Sequence, residues 1–208
     1  MIPSILTSDR AARWRSASIA IFAAGSVALS ADTAGEAPGA AAPSGAALSA
    51  PAPAAKTCLS SGDGYLRARV GGAIEAEIDW PNSGTACEGE PKLDPAGVRL
   101  SFRRVSGARP NLLFLFGLTG VREGEPLHAS GANLTIIVQG TDRIYGTRGD
   151  SRCTVDSLTQ RRLGGEHEYR LEARGFCTQP AHAVRGEGMV IVSRFDFAGI
   201  VNYQEKSP

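Results

Sequence analysis

The sequence predicts an all-β protein: an antiparallel β-sandwich, or a barrel-like variant of it, with two hairpins held by disulfide bonds. From Cys58 onward, short segments that alternate apolar and polar residues are separated by Gly, Pro, Asn and Asp. No segment carries the apolar stripe of an amphipathic helix over three turns. Many short strands at this spacing are typical of sandwiches and barrels.

The alternation predicts nine strands within one domain, residues 57–208. Leu and Phe residues fill the fourth segment, so we expect it to be buried on both faces. In the last segment Phe195 and Phe197 share one face and Arg194 and Asp196 the other, which is the pattern of a half-buried strand. The predicted strands are Tyr65–Val70, Ile74–Trp80, Val98–Arg104, Leu112–Leu118, Leu134–Gln139, Arg143–Thr147, Arg152–Leu158, Glu168–Phe176 and Met189–Ile200.

The first two strands form a hairpin in which Gly71–Ala73 is expected to be a three-residue loop, because Gly supplies the positive φ that such loops need. This register separates apolar partners from Arg–Glu partners, and a slip of one residue would mix them. The expected partners are Val70 with Ile74, Ala68 with Ala76, Leu66 with Ile78, Arg69 with Glu75 and Arg67 with Glu77.

A second hairpin brings two cysteines together. With residues 164–166 as the loop, Arg162 faces Glu168, Asp156 faces Arg174 and Cys153 faces Cys177. Four cysteines allow three connectivities. The registers of the two hairpins favour the pairs Cys58–Cys87 and Cys153–Cys177. Two such bonds would form the structural disulfide framework that is typical of an exported chain.

The first 30 residues have the organisation of a secretory signal peptide. Three Arg residues precede a short apolar stretch, residues 17–29, and small residues follow. The stretch is shorter than the roughly 18 residues of a membrane span. We therefore expect cleavage after Ser30 or Ala31, no membrane span after cleavage, and a periplasmic or secreted protein. Retention of the leader as an anchor is the alternative.

Residues 31–56 read as a disordered linker. Of these 26 residues, 12 are Ala, 4 are Pro and 3 are Gly. Such a segment buries too little apolar surface to offset its ordering entropy. It is either a mature N-terminus without a specific role or a spacer that holds the domain away from a membrane or wall.

Composition and motifs exclude several function classes. The formal net charge of +1 argues against a nucleic-acid partner. The sequence contains no Gly-rich phosphate loop, haem attachment motif or dinucleotide fingerprint, so no cofactor is expected. The Cys and His spacing also matches no zinc site, so no metal is expected.

Three carboxylates at alternate positions, Glu75, Glu77 and Asp79, share one strand face with spacings of roughly 6–7 Å. Glycosidases and Ca²⁺ sites use such separations. The simpler interpretation, a solvated face paired with Arg67 and Arg69, is preferred. The three histidines, His128, His167 and His182, follow no metal or catalytic spacing, and no nucleophile elbow is present.

Arginines offer a second candidate site, since guanidinium groups bind phosphate and carboxylate groups in pairs. Dispersed surface charge is the alternative interpretation. The chain also holds phenylalanines that could stack on a ligand or line a lipid pocket, although core packing is the preferred role. The candidate binding residues are Arg148, Arg152, Arg161 and Arg162, with Arg103 and Arg104 as further members of such a patch.

These observations predict a non-catalytic binding or structural component of a bacterial cell envelope. We expect it to engage a protein or an envelope polymer through a sheet face or loops. Two alternatives remain open at this point. One is a small periplasmic hydrolase, and the other is a carrier of an apolar ligand inside a closed barrel.

Overall fold

The computed structural model describes residues 57–94, 96–105, 107, 110–125 and 131–204; the predicted signal peptide, residues 1–30, and linker, residues 31–56, lie outside them. The described chain forms eleven strands, all paired antiparallel, which confirms the all-β class. It contains no helix, and hence none able to cross a membrane. The strands are β1 (Tyr65–Gly72), β2 (Ala76–Pro81), β3 (Thr85–Leu93), β4 (Ala96–Arg104), β5 (Leu112–Thr119), β6 (Gly131–Val138), β7 (Ile144–Gly146), β8 (Cys153–Arg162), β9 (Glu168–Cys177), β10 (Ala181–Ala183) and β11 (Met189–Asn202).

The strands form two layers. The first layer has the order β2-β1-β11-β9-β8, and the second has the order β3-β4-β5-β6-β7. Along one side the layers are joined, because β10 pairs with both β7 and β11 and Cys153 of β8 lies opposite Ala132 of β6. The fold is thus a sandwich that is barrel-like along this one side.

Aromatic rings from both layers fill the space between them. Phe102 and Phe116 of the second layer contact Phe197 of β11, with ring centroids 5.2 and 4.7 Å apart. Phe195 lies 5.2 Å from Phe116, and all four side chains are at most 1% exposed. Tilted ring pairs of this kind contribute about 0.5–1.5 kcal/mol beyond their buried area. The preferred sequence interpretation of Phe116, Phe195 and Phe197 as core residues is confirmed.

The turn between β1 and β2 differs from the prediction. Val70 lies opposite Ala76 rather than Ile74, so the predicted register is wrong by two residues. The cause is β11: β1 pairs with it as far as Gly72, which places both glycines of the predicted loop in the strand. A shift of two residues preserves the alternation of side chains. The apolar and charged faces of β1 therefore remain as predicted.

The hairpin of β8 and β9 places Cys153 opposite Cys177, as predicted. Its loop, residues 164–167, is one residue longer than predicted. A β-bulge at Asp156 absorbs the additional residue. Arg174 therefore lies opposite Ser157, and its predicted pairing with Asp156 is wrong. Between the bulge and the cysteines the predicted register holds.

Both predicted disulfides are present. Cys58, just before β1, is bonded to Cys87 of β3, and Cys153 is bonded to Cys177. The first bond links the two layers on the side where β2 and β3 are their edge strands. Two such bonds indicate an oxidising, non-cytoplasmic compartment.

The sequence pattern does not anticipate β3 or β10. β3 contains Gly89 and Pro91, residue types that usually mark turns or edge strands. At Gly89 the backbone of β3 passes close to β11, and a Cβ atom there would lie 2.3 Å from Ile200 O. Glycine is required at this crossing because the obstructing atom belongs to the backbone.

Candidate functional site

Side chains of β3 to β6 that point away from the core form three rows across the second layer. The strand registers place one residue of each strand in every row. The rows are Ala86, Arg103, Leu113 and Ile137; Glu88, Ser101, Leu115 and Thr135; and Glu90, Arg99, Gly117 and Asn133.

Two adjoining cavities lie on this face, with volumes of about 380 and 310 Å³. They share Arg99 and Leu115, and all three rows contribute to their walls. Gln139 lies at one end and Lys92 at the other. We call this combined cleft the outer groove.

The floor of the outer groove is apolar. Leu113 and Leu115 of β5 are only half-buried, whereas the inward-facing residues of the same strand are buried. The prediction that this strand is buried on both faces is therefore wrong for its outer face. A half-exposed apolar floor beside polar groups is typical of ligand-binding clefts.

Gly117 keeps the middle of the outer groove open, because it has no side chain to fill it. A Cβ atom at this position would lie 2.4 Å from Asn133 Oδ1. Asn133 itself is fixed, because its Nδ2 donates a hydrogen bond of 2.8 Å to Asp150 Oδ1. A side chain at position 117 would displace this amide and fill the groove.

Lys92 closes one end of the outer groove. Its side chain is only 12% exposed, and its Nζ lies 3.6 Å from Asp150 Oδ1. In the next row of the sheet Lys92 is followed by Gly97, Thr119 and Gly131. Gly97 leaves space beside Lys92, and a Cβ atom at Gly131 would lie 2.5 Å from Asp150 O, so the two glycines let the lysine and Asp150 approach each other above the sheet. This ion pair joins β3 to the chain just before β8.

Charged and neutral polar groups line the rest of the outer groove, among them the carboxylates of Glu88 and Glu90. Arg99 lies 3.9 Å from Glu90, a loose contact between exposed groups. Within the residues that the structure describes, the side chains of Arg103, Thr135 and Gln139 make no hydrogen bond or ion pair. Their donors and acceptors are therefore available to a ligand.

The four predicted binding arginines fall into two pairs. Arg148 and Arg152 lie before β8, where Arg152 Nε donates to Arg148 O and Nη1 donates to Gln179 Oε1 at 2.8 Å. Arg161 and Arg162 lie at the other end of β8, about 30 Å away at the rise of an extended strand. These four side chains are not brought together. Arg103, the further member that faces the outer groove, is separate from both pairs.

The predicted carboxylate row is engaged by arginines. Glu77 lies 2.9 Å from Arg69, and Asp79 lies 3.3 Å from Arg67. Each pairing is displaced by two residues from the predicted one, because the β1–β2 register is displaced by two. Glu75 is exposed at the turn. In the described ranges no group of three His, Cys, Asp or Glu residues is placed to hold a metal ion.

A charged network on the outer face of the first layer centres on Tyr65. Its hydroxyl donates to Asp196 Oδ1 at 2.7 Å and also lies 3.3 Å from Glu172 Oε1. Burial raises the pKa of Tyr65 to about 12, and the hydrogen bond to Asp196 adds to the shift. Arg170 donates to Glu172 at 2.7 Å and thereby lowers the pKa of that carboxyl group. Every one of these charges has a partner, so the network stabilises the layer.

The histidines are dispersed. His167 Nδ1 lies 3.0 Å from Glu123 Oε1, in a half-exposed pair. His182 is exposed on β10, and His128 lies outside the described residues. No motif in the sequence marks the outer groove itself, since its residues meet only through the register of four strands.

Comparisons of the chain with protein-family models, with curated proteins and with solved structures gave no match.

Proposed function

We propose that this protein is an exported component of the cell envelope, periplasmic or secreted, that binds a protein or an envelope polymer in the outer groove without catalysing a reaction. The observation that carries the proposal is the groove itself. Its apolar floor, Leu113 and Leu115, lies beside three polar side chains without partners among the described residues, Arg103, Thr135 and Gln139.

Binding is favoured because such a surface gains free energy from a ligand in two ways. Covering the half-exposed leucines removes apolar surface from water, which lowers the free energy by about 25 cal/mol for each Å² buried. Polar groups at the edges of the floor then orient the ligand and select it. The disulfides support export, since such bonds persist in oxidising compartments.

The two alternatives have less support. A hydrolase would need available carboxylates, yet Glu77, Asp79 and Glu172 are engaged by arginines. A carrier would need space between the layers, where Phe116 and Phe197 are in contact.

Native mass spectrometry after gentle purification from the producing organism tests the proposal. Ser101→Tyr places a ring in the outer groove, and Thr159→Tyr places the same ring on an exposed position of β8. We expect the parent protein and Thr159→Tyr to retain a discrete protein or polymer partner that Ser101→Tyr has lost. A partner that Ser101→Tyr retains would contradict the proposal, and a small apolar mass that both variants retain would favour the carrier.

A further inference from the structure

Two guanidinium groups stand on the same strand and the same face of the outer groove. Arg99 and Arg103 are four residues apart on β4, which corresponds to about 13 Å along an extended chain. Between them lies the row of Ser101 and Leu115. Along β4 the groove therefore presents a guanidinium group, then the hydroxyl of Ser101 beside the apolar side chain of Leu115, and then a second guanidinium group.

An extended peptide repeats with the same geometry. Its residues i, i+2 and i+4 point to one side, and the outer two are also about 13 Å apart. A peptide above β4 and β5 would thus place residue i at Arg103, residue i+2 at Leu115 and residue i+4 at Arg99. The three rows, all within the described residues, hold no aromatic ring on which a sugar ring would stack.

The charges along the cleft set the path of such a peptide. Glu88 and Glu90 lie on β3, at one side of the groove. Glu90 contacts Arg99, whereas Glu88 repels an acidic chain from β3 and so directs it over β4 and β5, where the guanidinium groups are. Lys92 is held by Asp150 and blocks the far end.

We propose that the outer groove binds an extended acidic peptide in which two carboxylate side chains, four residues apart, flank an apolar residue. Arg103 and Arg99 each receive one carboxylate in a charge-assisted hydrogen bond. Leu115 and Leu113 cover the apolar side chain. This inference rests on the proposed function and names the ligand class for the same groove.

Fluorescence titration of the oxidised chain with synthetic peptides tests this ligand class. The probe is a threonine-rich peptide with two Glu residues four positions apart and a Val midway between them. One control places the Glu residues three positions apart, on opposite sides of an extended chain. A second control replaces both by Gln. We expect the first peptide to bind most tightly, the controls to bind at least about tenfold more weakly, and added salt to reduce the difference.

Protein variants locate the site. Arg103→Gln and, separately, Arg99→Gln should each weaken binding of the first peptide by about tenfold or more. Arg161→Gln removes the same charge from the first layer and should leave binding unchanged. Equal affinity for the two Glu spacings, or loss of binding in Arg161→Gln alone, would overturn the proposal.

The result separates this inference from the proposed function. A uronic acid polysaccharide, titrated in parallel, tests the other anionic polymer class. If it binds and the peptides do not, the peptide proposal is wrong. If Ser101→Tyr loses its envelope partner although no peptide binds, the proposed function stands and the ligand class is wrong. If Ser101→Tyr keeps the partner, the proposed function fails as well.

Discussion

Arg69 of β1 and Arg194 of β11 lie directly opposite each other, and both contact the carboxylate of Glu77. The distances from the Arg69 and Arg194 side chains to Glu77 are 2.9 and 3.8 Å. Like charges at directly opposed positions destabilise a sheet. One carboxylate on the neighbouring strand β2 thus offsets the repulsion between two guanidinium groups.

Replacing Glu77 by Gln should lower the free energy of unfolding by up to about 1 kcal/mol, because the two arginines then repel each other without a counter-charge. Glu75→Gln is the matched control, an exposed residue of the adjacent turn, and should have almost no effect. Urea denaturation at low and high salt checks this, and the difference should shrink with salt. Equal effects of the two substitutions would show that Glu77 does not offset the repulsion.

Tyr65 should make stability depend on pH in the alkaline range. Its pKa is raised to about 12 in the folded protein, mainly by burial, against about 10 in an unfolded chain. The folded state therefore retains the proton longer, and this contribution to stability is complete below about pH 10 and lost between about pH 10 and 12. Tyr65→Phe should flatten this decline in a series of denaturation curves.

The alkaline decline will not vanish in Tyr65→Phe, because burial also raises the pKa of Tyr203. Phenolate absorbance of the parent protein should show late ionisation that Tyr65→Phe reduces. An unchanged absorbance titration in the variant would mean that Tyr65 is not the late group.

Removing the Cys153–Cys177 bond should cost about 3 kcal/mol of unfolding free energy, since the bond closes a segment with a sequence separation of 24. The double variant Cys153→Ser with Cys177→Ser measures this cost in chemical denaturation. The single variant Cys153→Ser should leave one free thiol, at Cys177, which is counted after unfolding because the residue is buried. A non-reduced peptide map in which Cys58 is joined to Cys153 would contradict the pairing.

Gly89→Ala should destabilise the protein by about 1–3 kcal/mol, because the new methyl group would meet the Ile200 carbonyl oxygen of β11. Gly71→Ala is the control: its Cβ atom would lie 3.8 Å from the nearest atom outside its neighbours, Ile191 Cγ2. We expect the control to be nearly neutral in thermal unfolding. Similar losses in both variants would point to a general intolerance of strand glycines.

The sequence predicted the elements whose own alternation defines them, including β1, β5 and the β8–β9 hairpin. It missed β3, since Gly89 and Pro91 resemble turn residues until their packing against β11 is known. It misplaced the β1–β2 register because pairing with a third strand decides where the turn begins.

The outer groove could not be predicted from spacing alone. Arg103, Leu115 and Thr135 come from three strands, and only the register between those strands makes them neighbours. Arginine-rich sequence suggested a patch that included Arg152 and Arg161, but the length of β8 keeps these two apart. The sequence marks Arg103 only by its charge, whereas its place in the groove depends on the apolar floor beside it.

The bulge at Asp156 separates two properties that a regular hairpin ties together, the length of its tip and the alignment of its cysteines. Without a bulge, the ladder that starts at residues 164–167 would run on with one residue too many, place Cys153 opposite Thr178 and turn the two cysteine side chains to opposite faces. Here the strand accommodates such a residue before the ladder reaches Cys153. We therefore expect a deletion of Asp156 to remove the bulge and leave Cys153 opposite Cys177, and a residue added in the loop to lengthen the tip alone. The hairpin tip is a place where the chain can change length while its covalent cross-link stays fixed.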